Sequence, residues 1–195
     1  MMSKSIKHLV TMALFTAMAL TIFVIEAQIP VPIPIPGVKL GLSNVITLII
    51  LLQYRPRDAA AVLLLRILLG SIYTGRLVAM FYSLCGGFLC FGGMALLCWL
   101  LHKKQVWFIS IIGAVLHNIG QILAAMLVMQ TTKVLVYLPF LLLTGTVTGL
   151  FTGLVAGRVV HYLPPAVLPE KERACLNAER CRGNALYFSF IVRLN

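Results

Sequence analysis

Acidic side chains are scarce in this sequence: Glu26, Asp58, Glu170, Glu172 and Glu179 are the only five in 195 residues. None forms the paired aspartates that hold magnesium for diphosphate chemistry, which argues against catalysis of that kind by this chain. A GxxxxGK[ST] loop is also missing, so the chain is not its own ATPase. The five cysteines, Cys85, Cys90, Cys98, Cys175 and Cys181, include no CxxC pair of the metal or redox type. They read as small hydrophobes, three in an apolar run and two in the tail. No Ser/His/Asp or Cys/His constellation can be assembled, and His117 has no acidic neighbour in sequence to orient it. The expectation is a chain that is not an enzyme and that has no cofactor and no metal.

Apolar residues, by contrast, make up 61% of the chain, and charged ones only 11%. The mean hydropathy is +1.00, more than a soluble domain of this length can hide. The apolar residues fall into runs that suit a hydrocarbon core about 30 Å thick. Six spans are expected, at 9–25, 41–52, 59–74, 77–101, 106–129 and 134–160. The second and third are shorter than ideal, which is tolerated where neighbours or a cavity shield the ends. The first reads as a span rather than a cleaved leader, because a cut after Ala27 would put the bulky Ile25 where a small residue belongs.

Basic residues set the orientation, since they are retained on the cytoplasmic side of short loops. With the N-terminus inside, that side holds Lys4, Lys7, Arg55, Arg57, Lys103, Lys104, Arg158, Lys171, Arg173, Arg180, Arg182 and Arg193. The outer side holds only Lys39, Arg76 and Lys133, and Arg66 lies within a span. The net charge of +11 is therefore explained by topology and attraction to anionic lipid, without nucleic acid. Residues 1–163 read as a six-helix transmembrane domain. The mixed, charged stretch 164–195 reads either as a cytoplasmic extension of low order or as a helix on the membrane surface.

Between the first two spans stands "EAQIPVPIPIPGVKLGLSN". Its prolines cannot donate backbone hydrogen bonds and favour a stiff extended chain. Pro30, Pro32, Pro34 and Pro36 make a semi-rigid strap, Gly37 can turn it, and Ser43 and Asn44 open the next helix with hydrogen-bonding groups. The strap is either a plain connecting loop with a snorkelling Lys39 or a lid over a pocket that opens outward. Polar residues inside the spans favour a pocket. Arg66 sits midway along "LLLRILLGSIYTG", where an arginine costs about 2.5–3.5 kcal/mol on insertion scales, and should face inward. His117, Asn118 and Gln121 form a polar stripe on the fifth span, which buried helix–helix hydrogen bonds alone could also explain. Glu26 and Asp58 fall only at span ends, so an anionic ligand or backbone carbonyls should balance Arg66. Ala13-x-x-x-Ala17 gives a small-residue face on the first span. Gly86, Gly87, Gly92 and Gly93 do so on the fourth, and Gly145, Gly149 and Gly153 on the sixth.

Five blocks in order, "IPGVKLGLSNVITLIILL", "LLLRILLGSIYTG", "FYSLCGGFLCFGGMALL", "GAVLHNIGQILAA" and "YLPFLLLTGTVTGLFTGL", resemble the Gx transporter family, also labelled heptaprenyl diphosphate synthase component I. That family is similar to the substrate-binding S components of energy-coupling-factor (ECF) transporters. The resemblance covers roughly residues 9–160. It implies an all-α, six-helix membrane protein with both termini cytoplasmic, multi-pass in the bacterial cytoplasmic membrane. It further implies that the first outer loop, with Pro30, Pro32, Pro34, Pro36 and Gly37, gates a substrate, and the polar residues Lys39, Asn44, Arg66, His117, Asn118 and Gln121 are expected to hold it. Ala13 and Ala17 match the AxxxA pattern that docks a T subunit, and two separate ATPase subunits would supply energy. The substrate would be a vitamin, a flavin-like compound or an isoprenoid or quinone precursor. Two other readings stay open: a non-catalytic accessory subunit of a polyprenyl diphosphate synthase in menaquinone side-chain synthesis, or a scaffold for a lipid-linked quinone precursor.

Overall fold

The computed structural model describes residues 4–28, 39–75, 77–101 and 105–162. Every regular element among them is helical: α1 (Lys4–Gln28), α2 (Asn44–Gln53), α3 (Pro56–Thr74), α4 (Leu77–Leu100), α5 (Val106–Met129), a 3-10 helix (Thr132–Tyr137) and α6 (Leu138–Tyr162). The expected tail, 164–195, lies outside the described residues.

Local chemistry sets the helix ends. Pro56 occupies the first turn of α3, where its missing N–H costs nothing, and Asp58 places negative charge at the same end. Gly75 ends α3 in the left-handed region at φ 65°, with its N–H turned back to the carbonyls of Ser71 and Ile72. The sixth apolar run was expected to be helical from Val134. Instead, residues 132–137 wind as a 3-10 helix started by the Thr131 hydroxyl, which accepts from the Lys133 N–H. The α-helix begins at Leu138, one residue before Pro139, which is tolerated in a first turn. The second run likewise starts at Asn44 rather than residue 41, because Gly41 is in the left-handed region at φ 82°.

Four segments are long and apolar enough to cross a membrane: His8–Gln28, Leu77–Leu100, Val106–Met129 and Thr132–Tyr162. The molecule is thus a multi-pass helical membrane protein. The other two expected spans differ in kind. α3 has 19 residues but carries Arg57, Asp58 and Arg66. Leu65, Leu68, Leu69 and Ile72 lie on its exposed face, while Val62, Arg66, Ile67 and Gly70 turn inward. α2 has 10 residues, all of them buried. At about 1.5 Å per residue it reaches about 15 Å, half the hydrocarbon thickness. It cannot cross alone, and it sits at the centre, in contact with every other α-helix.

Close approach between helices relies on glycine, because lipid supplies no hydrophobic drive between apolar faces and association depends on packing. A Cβ at Gly86 would stand 2.8 Å from the His117 carbonyl oxygen, and one at Gly120 would stand 2.8 Å from Gly86 Cα. That contact locks α4 to α5. Gly145, Gly149 and Gly153 seat α6 on α5 in the same way, joined by a 2.9 Å hydrogen bond between the Ser110 and Thr152 hydroxyls. Gly87 faces Leu63 and Ile67 of α3. Gly92, expected in the same packing row, meets nothing within 4 Å and plays no part in it.

Contacts far apart in sequence fix the two ends of the bundle. At one end His8 of α1 lies 3.3 Å from Asp58 of α3, edge-on to Tyr54, and Gln53 donates to the Val160 carbonyl of α6. The start of α1 and the end of α6 therefore share a side. The opposite end gathers the close of α1 and the start of α2.

Candidate functional site: a buried pocket at the start of α2

At that opposite end, polar side chains meet below the surface. Phe23 and Glu26 of α1, Lys39, Gly41 and Ser43 before α2, Arg66 and Ile67 of α3, Ser83 of α4 and His117 of α5 line one cavity. Its volume is about 10 Å³, space for about one water-sized group.

Glu26 organises the site. Ser43 takes the N-cap position of α2 but makes no side-chain capping bond, so the expectation that Ser43 opens the helix by capping it is corrected. Capping comes instead from Glu26, whose carboxylate accepts from the backbone N–H of Gly41, of Leu42 at 3.2 Å and of Ser43 at 3.5 Å. Amides at a helix start lack intrahelical partners and carry the positive end of the helix dipole, so a carboxylate there satisfies both needs. Glu26 is only 3% exposed. It lies near the end of the span His8–Gln28, as expected, but is buried there rather than wetted, so Arg66 has a counter-charge inside the bundle. The charges of Arg66 and Lys39 both act on it.

The cations are held by different means. Arg66 is 1% exposed and donates from Nη2 to Asn44 Oδ1, while its Nε and Nη1 have no partner. The Lys39 ammonium sits 3.1 Å above the centre of the Phe23 ring, and its backbone N–H donates to Gln121 Oε1 at 3.2 Å. A cation over an aromatic face keeps part of its stabilisation after losing water. Gly41 lets the chain pass close by: a Cβ there would stand 2.8 Å from His117 Cδ2 and 3.0 Å from Asn44 Nδ2.

The atoms left without partners around the pocket are Arg66 Nε and Nη1, Asn44 Nδ2 and Gln121 Nε2, all donors, with the Ser83 hydroxyl and His117 Nδ1, which can donate or accept. Each buried, unsatisfied donor costs about 1–3 kcal/mol. A surplus of donors around a small space suits an anion or an acceptor oxygen.

Of the expected site residues, Lys39, Arg66 and His117 line the cavity, with Asn44 and Gln121 one contact behind. Asn118 does not join them. It turns to α6, where its Nδ2 donates to the Leu141 carbonyl at 2.6 Å beside Gly145, because residues adjacent on a helix point about 100° apart. Pro30, Pro32, Pro34, Pro36 and Gly37 lie outside the described residues. Ala13 and Ala17 are exposed on α1, on the side away from the buried Phe15 and Ala19. Sequence reasoning missed Glu26, Phe23 and Ser83. The rarity of acids was the one available signal for Glu26. Among the described residues, no three His, Cys, Asp or Glu side chains cluster closely enough to hold a metal.

The fold and pocket thus define a multi-pass helical membrane protein with a buried, cation-rich site at the start of a half-length helix. The chain belongs to the family described as heptaprenyl diphosphate synthase component I, whose family model matches residues 15–159. The match takes in every pocket residue and Ala17, and stops short of Ala13 and the tail. Comparisons with curated proteins and with solved structures give no match.

Proposed function

We propose that this chain is the substrate-binding component of an ECF-type importer, a six-span protein with both termini in the cytoplasm that captures a small molecule for uptake driven by separate ATPases. The observation that carries this reading is the pocket itself, in which buried donors surround a cavity where the end of α1 meets the start of α2. With α1 entering from inside, that connection faces outward, and the strap from Gln28 to Lys39 is the gate. Binding sites commonly combine apolar walls with a few convergent polar groups, and Phe23 and Ile67 supply the apolar part here. A 10 Å³ space is far below the roughly 300–1,000 Å³ of ligand pockets, so capture requires the walls to part. Ala13 and Ala17 offer a small-residue face to a T subunit.

The family's description favours a second reading, an accessory subunit of a prenyl diphosphate synthase. One experiment separates the two: purification of the tagged chain from native membranes in mild detergent, followed by identification of the accompanying proteins. Two ATPases and a multi-span T subunit are the expected result. A soluble prenyl synthase subunit in their place would overturn the importer.

A further inference from the structure

The space beside Arg66, about 10 Å³, holds one water-sized group. No oxyanion, carboxylate or phosphate, fits there while every wall stays in place. On the substrate-binding reading above, an anion that enters must therefore take a seat that is already filled. One seat in the lining is filled by an oxyanion. Glu26 is the one acid among the lining residues, and its carboxylate rests on three successive backbone N–H groups, those of Gly41, of Leu42 at 3.2 Å and of Ser43 at 3.5 Å. Successive amides next to a left-handed residue form a concave anion cradle, and Gly41, at φ 82°, supplies that residue. The same amides lead into α2, whose dipole favours negative charge at this end. What fills the cradle comes from another helix, the last turn of α1.

Buried donors beside the cradle remain unused while Glu26 occupies it. Arg66, 1% exposed, spends Nη2 on Asn44 Oδ1 and leaves Nε and Nη1 without partners, and the buried Ser83 hydroxyl has none either. Both side chains line the same space as Glu26. Glu26 thus satisfies the amides but not the guanidinium. A carboxylate that is not tethered to α1 is free to turn toward both.

We propose that Glu26 is a resident stand-in for the ligand: a carboxylate carried by the substrate displaces Glu26 from the amides of Gly41, Leu42 and Ser43 and adds the hydrogen bonds that Arg66 lacks, with its apolar body against Phe23 and Ile67. The exchange has a mechanical result. Glu26 ties the end of α1 to the start of α2, the two points that residues 29–38 join in sequence, so its release unfastens one helix from the other as the ligand arrives. Without ligand the protein stays closed, because its own carboxylate fills the cradle.

The test follows the thermal unfolding midpoint of the full chain in non-ionic detergent against octanoate, with octanol as the probe that shares its eight-carbon body but has no carboxylate. The wild type should respond to octanoate and not to octanol. Glu26→Ala vacates the cradle and should respond at concentrations lower by about tenfold or more, the scale of one net hydrogen bond. Glu26→Asp separates displacement from simple repulsion. It keeps the charge but is one methylene shorter and holds the amides less well, so octanoate should act at concentrations about threefold or more below those for the wild type. A merely repelling Glu26 would instead make Glu26→Asp equal to the wild type. Arg66→Met should abolish the response. If Glu26→Ala does not fold, Glu26→Asp against the wild type decides the matter by itself. The proposal is overturned if octanoate acts no better than octanol on the wild type, if Glu26→Ala weakens the response, if Glu26→Asp equals or falls below the wild type, or if Arg66→Met keeps the response. A chain that co-purifies with ATPases but fails this order loses the displacement alone, whereas the correct order without ATPases removes the importer alone.

Discussion

Replacing Glu26 with alanine is the sharpest test of how this bundle holds its central helix. The change strips the cap from three amides at the start of α2 and removes the counter-charge of Lys39 and Arg66. Each stranded amide costs about 1–3 kcal/mol, and the loss of a nearby negative charge adds to the strain on the two buried cations. These losses overlap, so about 4 kcal/mol is a fair expectation. For a chain of this size each kcal/mol moves the midpoint by about 2–4 °C, giving a drop of roughly 8–16 °C. Glu26→Gln keeps an acceptor oxygen but loses the charge, and should fall by about half as much. Thermal unfolding of the solubilised chain, followed through Trp99 and Trp107, measures both. A Glu26→Ala midpoint within about 2 °C of the wild type would refute the capping role, and identical losses in the two variants would show that charge does not matter there.

Gly86→Ala should destabilise by about 1–3 kcal/mol through overpacking, since its Cβ would meet the His117 carbonyl at 2.8 Å and Gln121 Cγ at 2.9 Å. Gly92→Ala, with nothing within 4 Å, should be neutral or stabilise by up to about 1 kcal/mol; equal effects in thermal unfolding would sink the packing argument. If the chain is an importer component as proposed, Ala13→Leu combined with Ala17→Leu should leave the melting midpoint unchanged and eliminate co-purification of a T subunit, so an intact complex would count against that docking face. Asp58→Asn breaks a partly exposed 3.3 Å contact with His8 and should cost less than about 1 kcal/mol. A larger loss would mean that this end of the bundle depends on the pair.

Much of the helical framework was legible in the sequence because apolar runs and glycine spacing are local signals. The six runs expected from composition correspond to α1 through α6, with the largest shifts at the start of α1, Lys4 rather than residue 9, and where the 3-10 helix precedes Leu138. Arg66 facing inward followed from the cost of a lipid-facing charge, and it is buried. Rotation about helix axes was less legible. His117 and Gln121 share a face, but Asn118, one residue from His117, bonds to α6 instead. The role of Glu26 was hidden for a different reason. Its partners lie 15 to 17 residues away, across the proline strap, and nothing in the periodicity of either helix says that one would cap the other. Ser43 has the composition of a cap, yet a carboxylate from another helix occupies that role.

The shortness of α2 sets the depth of the site. A helix of 10 residues reaches about 15 Å, half of a hydrocarbon layer about 30 Å thick, and its first turn meets Arg66 and His117 partway along α3 and α5. The backbone amides of Gly41, Leu42 and Ser43 are met there by the buried carboxylate of Glu26, which takes the place of solvent for them. Arg66 is buried beside a space of only about 10 Å³, so any molecule larger than a water must part the surrounding helices to reach it. Beneath the pocket lies the apolar, fully buried body of α2, so nothing bound beside Arg66 could move further along the bundle without a change in its packing.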